Sequence, residues 1–516
     1  MFNNRTKELM ARHASLAFGL IATCGALLAP RAPRAARARR AAASVEDVDA
    51  VVVGCGPAGL AAAIELRARG YERVVALDRL ASPDTFETER AYLYLVDARG
   101  QRWTDRHPGL TAAVAARGVS NGNYTVSRLY PDARGVETVA PLLARPAAAG
   151  AIWIPRASLL ATLADCARDR GVSLRYGAAL EGLEREGGAV VASAGGAAYR
   201  TRLLVGADGA SSRVRSFLGR RAAAPRVFDP VELESPSGGL RYKMLEVDPA
   251  FAATDLRTGA RVATASAQAY VVPSKATNKR DRVRLGLLPS RDPALPRTAN
   301  VIRSEGHRVW DLETGDDVLA WLDREFPQLD GAVSADAASR FARAGAGAFP
   351  RPRYTPAVAA RAGDCDCFLV GDSAHAFPPD LGQGCNAALE DVAALGDALA
   401  ASRRPTWAYQ RARAPAARAV AKLVQIGFPF QYDQSRVRSK LFLVGLALRV
   451  AANAVAARLL PPRAAAAVAP PPAAFAVLDG EPYVDILARL TRANRAVAAV
   501  AAAAACAVAR AAMAGC

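Results

Sequence analysis

Alternation between apolar runs and helical spacing near residue 50 predicts the first folded elements. Asp49–Val53 is an apolar run of strand length, and it is followed at once by a glycine-rich turn, residues 54–59. Apolar residues at helical spacing then continue to Gly70, which is typical of the end of a helix. The next apolar run, Val74–Leu77, predicts a second strand. The pattern therefore predicts a β-α-β unit.

The glycine-rich turn has the spacing of a dinucleotide-binding loop. Gly54 permits the tight turn, Gly56 lets a pyrophosphate approach the backbone, and Gly59 lets helix and strand pack closely. The helix that follows would direct free N–H groups at the phosphates. Asp78 ends the second strand and can accept hydrogen bonds from ribose hydroxyls. A turn without a ligand is the alternative, and the loop alone leaves FAD and NAD both open.

Two later strands end in glycine and aspartate. Leu203–Gly206 leads into Asp208-Gly209, and Phe368–Val370 leads into Gly371-Asp372. A second glycine-rich turn, residues 382–384, opens another predicted helix. Three such segments in this order favour FAD over NAD.

The chain between these segments has a different pattern, which is typical of short β-strands. Leu240–Val247, Gln268–Pro273 and Arg282–Leu288 are short, β-rich and interrupted by Pro and Gly, which predicts an antiparallel sheet. We therefore expect an α/β fold: a Rossmann-like FAD-binding domain, an inserted antiparallel sheet over the substrate, and a C-terminal helical region. The expected ranges are 1–45 for a targeting segment, 46–230 and 350–410 for the FAD-binding domain with substrate-side insertions at about 85–150, 231–349 for the sheet, and 411–516 for the helical region with its Pro-rich linker.

The three segments together resemble the FAD-dependent aromatic hydroxylases, the p-hydroxybenzoate hydroxylase-like flavoprotein monooxygenases. Gly371–Asp391 is most similar to kynurenine 3-monooxygenase and its relatives. The resemblance implies FAD as cofactor, with NADPH or NADH as a transient co-substrate, since no second dinucleotide loop follows a strand. It implies that reduced flavin and O₂ form a C4a-hydroperoxide that hydroxylates or epoxidises a small aromatic or alkene-containing substrate.

The resemblance also implies roles for individual residues. Asp372 would bind the ribityl chain, Asp208-Gly209 would contact FAD and help the nicotinamide dock, and the turn at 382–384 would present N–H groups to the flavin N1/O2 edge. Arg156 would contact FAD, and Arg90 would lie near flavin and substrate. No catalytic side chain and no metal ligand is predicted, and His375 is interpreted as a structural imidazole. The predicted cofactor-binding residues are Gly54, Gly56, Pro57, Ala58, Gly59, Asp78, Arg79, Arg156, Asp208, Gly209, Gly371, Asp372, Gly382, Gln383, Gly384 and Asn386.

Two departures limit the substrate prediction. Trp153-Ile154-Pro155 is similar to part of the flavin-dependent halogenase signature, but Gly150 and Ile152 occupy its two Trp positions. Ala419–Gly427 lacks the Tyr, Met and Arg of the kynurenine hydroxylases. A flavin reductase or dehydrogenase of a prenyl or carotenoid-like substrate, and a non-catalytic FAD-binding protein, stay as alternatives.

Composition adds little to the prediction of function, but it bears on where in the cell the protein is located. The net charge is +19, and residues 1–45 hold eight Lys/Arg against Glu8. No basic helix interleaved with aromatics follows, so no nucleic-acid partner is predicted. Eight Cys without a CxxC pair predict no metal site. At the C-terminus, Leu441–Leu460 and Ala496–Ala509 fall short of about 20 strongly apolar residues, so we expect packing helices, with membrane-surface contact as the alternative.

The N-terminus is expected to direct the chain into an organelle. Leu16–Ala29 is apolar and an Arg cluster follows it at residues 31–40, which favours a transit peptide, chloroplast ahead of mitochondrion, over a secretory signal. We expect residues 1–45 fused to a fluorescent protein to enter a plastid or mitochondrion. A diffuse cytosolic signal would refute the targeting prediction, and a secreted reporter would make Leu16–Ala29 a signal-peptide core.

Overall fold

The structure is a computed structural model that describes residues 44–82, 92–122, 125–139, 150–222, 224, 226–278, 280–291, 296–432 and 435–496. The chain divides into two units, 1–44 and 45–516. The predicted targeting segment, except for its last two residues, and Arg90 lie outside the described residues, as does nearly all of Ala496–Ala509.

Helices account for much of the second unit. Their bounds are α1 Pro57–Ala68, α2 Ala98–Thr104, α3 Leu110–Ala116, α4 Arg156–Asp169, α5 Arg213–Gly219, α6 Gly315–Glu325, α7 Ala335–Arg343, α8 Gly384–Ala401, α9 Pro405–Gly427, α10 Arg436–Leu459, α11 Pro462–Val468, α12 Ala473–Leu478 and α13, residues 483–496. Short 3-10 turns lie at Arg308–Asp311, Pro327–Leu329, Gly371–Ser373 and Pro379–Leu381.

The strands are short and fall into several sheets. Their bounds are β1 Val45–Asp47, β2 Ala50–Val53, β3 Val74–Leu77, β4 Leu93–Val96, β5 Val119–Ser120, β6 Val126–Leu129, β7 Val136–Val139, β8 Ile152–Pro155, β9 Ser173–Arg175, β10 Leu180–Glu186, β11 Ala189–Ala194, β12 Ala197–Thr201, β13 Leu203–Gly206, β14 Val231–Glu232, β15 Arg241–Val247, β16 Ala252–Asp255, β17 Ala260–Ala263, β18 Ala269–Pro273, β19 Arg284–Leu287, β20 Arg297–Arg303, β21 Gly347–Ala348, β22 Arg353–Tyr354, β23 Ala359–Ala362, β24 Cys365–Leu369 and β25 His375–Ala376.

A six-stranded sheet with the order β23-β24-β13-β2-β3-β9 forms the centre of the FAD-binding half. All neighbours are parallel except the edge pair β23–β24. Every residue of β2, β3 and β13 is buried, because helices cover both faces of a parallel sheet and its strands are apolar throughout. Since the strands run the same way, the carboxyl ends of β2, β3, β13 and β24 meet at one edge.

A seven-stranded sheet with the order β21-β15-β20-β19-β18-β6-β7 forms the second half. Its pairs are antiparallel except β18–β6. Helices α6 and α7 close one face, where Trp321, Phe326 and Phe341 join a core with sheet residues such as Leu245 and Val301. The sheet takes β6 and β7 from the region expected to be a substrate-side insertion. The predicted α/β class with an inserted, largely antiparallel sheet is confirmed.

The C-terminal helices do not all behave as expected. Helices α9, α12 and α13 share a core with the turn before α8. Helix α10 is different: residues 437–459 are apolar and long enough to cross a membrane, and only 6% of that stretch is buried. The expectation that this segment is too short and is a packing helix is therefore wrong, because the apolar stretch begins four residues earlier than Leu441 and most of its side chains are exposed.

Candidate functional site

The glycine-rich turn at the end of β2 is shaped by close backbone contacts. Gly54 has a φ of 102°, and a Cβ there would lie 2.3 Å from the Ala207 carbonyl oxygen. A Cβ on Gly59 would lie 1.8 Å from the Gly54 oxygen. Gly56, just before Pro57 opens α1, has nothing within 4 Å of its Cβ position. Two of the glycines thus permit packing, and the third leaves space at the start of the helix.

Asp78 closes this turn from the side. Its Oδ2 accepts from the Cys55 N–H at 2.7 Å, and its Oδ1 accepts from the Leu80 N–H at 2.8 Å. The carboxylate therefore fixes the turn while lying beside it, and its bond to a ribose stays a prediction. Arg79 is exposed.

Asp208-Gly209 follows β13 at the same edge of the sheet. The Asp208 Oδ2 accepts from the N–H groups of Arg213 at 2.6 Å and Val214 at 3.2 Å, at the start of α5. Its Oδ1 is buried and has no partner among the described residues, and burial raises the pKa of Asp208. Gly209, at a φ of 77°, faces open space. An orphaned buried oxygen beside open space is what a site for a hydroxyl-bearing ligand provides.

Gly371-Asp372 follows β24. The Gly371 N–H donates to the Asp391 Oδ2 at 2.9 Å, and a Cβ on Gly371 would lie 3.0 Å from that of Ala58. This segment therefore touches the glycine-rich turn directly. The Asp372 side chain reaches solvent between two buried neighbours. Desolvation by the surrounding protein raises the pKa of Asp372. The positive charges of His375 and Arg353 act in the opposite direction and lower it.

The second glycine-rich turn lies before the long helix α8. Gly382 has a φ of 63° and ends a 3-10 turn, and the exposed Gly384 is the first residue of α8. Neither has an atom within 4 Å of its Cβ position. The helix begins at Gly384, so its free N–H groups and the positive end of its dipole face this open space. Its 18 residues give it a full helix dipole.

Asn386 holds the surroundings of this turn, and Arg156, another predicted cofactor-binding residue, begins α4. The buried Asn386 amide donates to the carbonyls of Leu95 at 2.8 Å and Gly382 at 3.1 Å, and its oxygen accepts from the Asp97 N–H at 3.1 Å. The amide nitrogen and oxygen of the Asn386 side chain are thus both hydrogen-bonded to backbone groups. The half-buried Arg156 starts α4, and its backbone N–H donates to the Tyr92 oxygen at 3.0 Å. Cofactor contacts of both residues stay predictions.

A buried cluster of charges beneath the site was missed from the sequence. Asp391 accepts from the Gly371 N–H, from His375 Nε2 at 2.7 Å and from Arg413 Nε at 2.7 Å. Arg413 also binds Glu390 at 2.8 Å. Burial would raise the pKa of Asp391, but the positive charges of His375 and Arg413 hold it below the usual range. His375 is thus a buried, hydrogen-bonded imidazole, and its purely structural role stays a prediction. No local pattern indicated the cluster, because Arg413 comes 22 residues after Asp391.

Asp380 forms a second buried polar contact near the turn at 382–384. We call this turn the flavin-edge turn, because the resemblance places it at the flavin N1/O2 edge. The Ser237 hydroxyl donates to its carboxylate, and the Gln431 amide donates to its carbonyl at 3.1 Å. Burial raises its pKa to about 6. The contact joins three segments: the turn before Gly382, the loop that enters β15, and the chain after α9.

These features fit FAD. Four parallel strand ends meet at one edge, glycines on three turns face open space, and an accessible carboxylate and an orphaned carboxylate oxygen line the edge. The fold and site define a flavoprotein of the dinucleotide-binding α/β class.

Comparison with protein families agrees with this class. The family model described as FAD binding domain matches residues 47–240 and 307–424, more than half of the chain. The chain belongs to this family, and the resemblance inferred from the three segments is confirmed.

The curated relatives match over a limited stretch. Kynurenine 3-monooxygenase of Salinispora arenicola (strain CNS-205) is 34% identical over 127 residues, which are 24% of this chain and 26% of that protein. The protein of the same name from Salinispora tropica is 35% identical over 127 residues, with the same shares. The match thus spans about a quarter of these relatives.

Solved structures extend the likeness of the fold. PqsL of P. aeruginosa in complex with 2-aminobenzoylacetate has a TM-score of 0.53 at 19% identity, covering 77% of this chain and 100% of that one. The tetrameric form of 2-methyl-3-hydroxypyridine-5-carboxylic acid oxygenase has a TM-score of 0.53 at 18% identity, covering 74% and 90%. OxyS anhydrotetracycline hydroxylase of Streptomyces rimosus has a TM-score of 0.51 at 22% identity, covering 77% and 72%.

We expect Asp372→Asn to weaken FAD binding by about 10-fold or more, since a charge-assisted hydrogen bond contributes about 1.5–3 kcal/mol. Flavin fluorescence titration measures the dissociation constant. Asp366→Asn is the matched control, because Asp366 lies on the same strand β24 but near its amino end. Equal flavin affinity in the two variants would contradict the role of Asp372.

We expect Asp380→Asn to change how stability depends on pH. The folded pKa of about 6 exceeds the unfolded value, about 3.9. The native state therefore holds its proton longer, and the wild type loses stability as pH rises from about 4 to 6. The amide carries no such cost, so the variant gains up to about 3 kcal/mol relative to wild type between pH 4 and pH 7.5.

Urea unfolding across this pH range measures the difference for Asp380→Asn. The exposed Asp364 provides the control, Asp364→Asn. A stability difference between wild type and Asp380→Asn that is constant from pH 4 to 7.5 would disprove the assignment.

Proposed function

We propose that this protein is an FAD-dependent monooxygenase that uses NADPH or NADH and O₂ to hydroxylate or epoxidise a small aromatic or alkene-containing substrate. The observation that carries the proposal is the meeting of Gly54–Gly59, Asp208-Gly209 and Gly371-Asp372 along one edge of a parallel sheet. The helix that follows the turn at 382–384 is joined to Gly371 through Asp391. Relatives named kynurenine 3-monooxygenase support the reaction class.

The proposed division of labour is simple. FAD, when bound, supplies the redox and oxygen chemistry. The protein would hold it: Asp372 would accept from ribityl hydroxyls, and the start of α8 would direct N–H groups at the edge of the isoalloxazine that becomes negative on reduction. No protein nucleophile is required.

Access of substrate is proposed from the side of the seven-stranded sheet. The loop that carries Ser237 leads into β15 of this sheet and contacts Asp380, two residues before Gly382. The chain after α9 reaches the same place, where Arg303 of β20 donates to the Tyr432 oxygen at 3.3 Å. These contacts place one end of the sheet beside the flavin-edge turn, where a substrate can approach the reactive ring.

The nicotinamide co-substrate is proposed to dock transiently. One dinucleotide loop of the GxGxxG type follows a strand in this chain, and FAD occupies it in the proposal. The Asp208-Gly209 segment, with its open side, is the proposed docking point.

The test is a coupled assay with FAD-loaded protein and a panel of aromatic and alkene ligands. We expect a true substrate to stimulate NAD(P)H oxidation, to consume O₂ in equal amount and to gain one oxygen atom by mass spectrometry. A reaction with free FAD and no protein controls for turnover by unbound flavin. Oxidation of NAD(P)H with reduction of the ligand and no O₂ uptake would identify a reductase or dehydrogenase instead, and a protein that binds FAD without turnover would be a non-catalytic binder.

We also propose that α10 lies on a membrane surface. Its large apolar side chains, among them Leu441, Val444, Leu448 and Val455, are more than half exposed. Two of its polar residues contact the protein: the exposed Arg449 donates to Asn494 at 3.1 Å, and the half-buried Asn453 donates to the Ala469 carbonyl at 2.7 Å. Near the ends of the helix, Arg438, Lys440 and Arg458 are exposed. A helix with polar contacts to the protein and an apolar outer face suits the interface of a bilayer.

Flotation of the full chain with lipid vesicles that contain anionic lipid tests the membrane proposal. We expect Leu448→Glu to reduce the bound fraction about 10-fold, because a buried Leu contributes about 1.5–3 kcal/mol. Val231→Glu adds the same charge at an exposed apolar residue outside α10. Flotation that is absent in wild type, or equal in both variants, would contradict the proposal.

A further inference from the structure

A hydrogen bond joins the C-terminal region to the flavin-edge turn. The Tyr483 hydroxyl donates to the Gln383 Oε1 at 2.6 Å, across 100 residues of chain. Tyr483 is 1% exposed and Gln383 is fully buried. Gln383 precedes Gly384, the first residue of α8, so the bond holds the residue from which the helix begins.

The same amide continues the connection to a third segment. Gln383 Nε2 donates to the Asp97 Oδ2 at 2.8 Å and to the Leu381 carbonyl at 3.2 Å. Asp97 in turn caps α2 through the Arg99 N–H at 2.9 Å. The side chain of Gln383 is therefore held from both ends, by Tyr483 on one side and by Asp97 on the other.

The ring of Tyr483 is itself held in place. The Arg99 guanidinium lies 3.8 Å from the ring centre and donates to the Glu481 carbonyl at 2.6 Å and to Glu390 at 3.1 Å. Burial raises the pKa of Tyr483, so the hydroxyl keeps its proton and stays a donor.

Apolar packing supports the polar contact. Leu381 and Ala387, on either side of the turn, share a core with Val477 of α12 and with Tyr483 and Ile486 of α13. The matched family region ends at residue 424, so these two helices lie beyond it. The underside of the flavin-edge turn is thus built by a part of the chain that the family model does not include.

We propose that Tyr483 is a positioning residue for the flavin. It fixes Gln383 and, through it, the N–H groups at the start of α8, and helices α12 and α13 are an integral part of the cofactor site. The proposal rests on the FAD site described above. Without the hydroxyl, the buried Gln383 oxygen loses its partner, and the turn gains freedom to move where the flavin edge is bound.

The experiment compares Tyr483→Phe with Tyr270→Phe in the full chain. Tyr270 is the matched control: it is buried, its hydroxyl donates to the Oε1 of a glutamine, Gln268, at 3.0 Å, and an Arg lies 5.1 Å from its ring, but it belongs to the seven-stranded sheet. We expect Tyr483→Phe to weaken FAD binding about 5- to 10-fold and to shift the flavin midpoint potential to a more negative value. Tyr270→Phe should change neither.

A double-mutant cycle separates positioning from general destabilisation. If Tyr483 acts through Gln383, Tyr483→Phe loses most of its effect on FAD binding in a Gln383→Met background. Gln383→Met alone also keeps the test available if Tyr483→Phe does not fold, because it removes the acceptor of the same bond and should weaken FAD binding by at least as much.

Three results would overturn the proposal: unchanged FAD affinity and potential in Tyr483→Phe, equal losses in the two Tyr variants, or additive effects of the Tyr483 and Gln383 substitutions. A wild-type chain that binds no FAD would instead refute the proposed function, so the two failures are distinguishable.

Discussion

The close approach of α1 to the turn at Gly54 is the constraint on which the rest of the site depends. A Cβ on Gly59 would lie 1.8 Å from the Gly54 oxygen, so only glycine allows the helix to begin where it does. That position puts the start of α1 at the sheet edge and brings Ala58 against Gly371. The strand ends can converge on one ligand because this contact leaves no side chain between them.

A buried cluster of charged side chains around Asp391 fixes the backbone beneath the site. Asp391 lies under Gly371 and holds three donors, of which two are the charged or chargeable groups of Arg413 and His375. Removing one partner of such a cluster leaves an uncompensated charge, which costs several kcal/mol, about 3–5 for a buried pair. The cluster therefore ties the geometry of the Gly371-Asp372 turn to α8 and α9, and through Glu390 to Arg99.

The C-terminal region has two faces with different roles. Helices α12 and α13 complete the core beneath the flavin-edge turn, while α10 leaves most of its surface apolar and uncovered. The Arg449–Asn494 contact links α10 to α13. The surface proposed to contact a bilayer and the helices proposed to support the cofactor are thus neighbours in one short stretch of chain.

Local sequence determined the parts whose chemistry is carried by consecutive residues. The glycine spacing at Gly54–Gly59, the apolar runs of a buried parallel sheet and the Gly-Asp strand ends indicated the fold class and the FAD family, because such backbone geometry depends on residue type at neighbouring positions. Tertiary structure alone decided which side chains meet across the chain. Arg413 with Asp391 and Tyr483 with Gln383 are long-range pairs, and no local pattern marks them. The orientation of α10 was predicted wrongly for the same reason: an apolar helix has the same sequence pattern whether it packs inward or faces outward, and only its neighbours determine which.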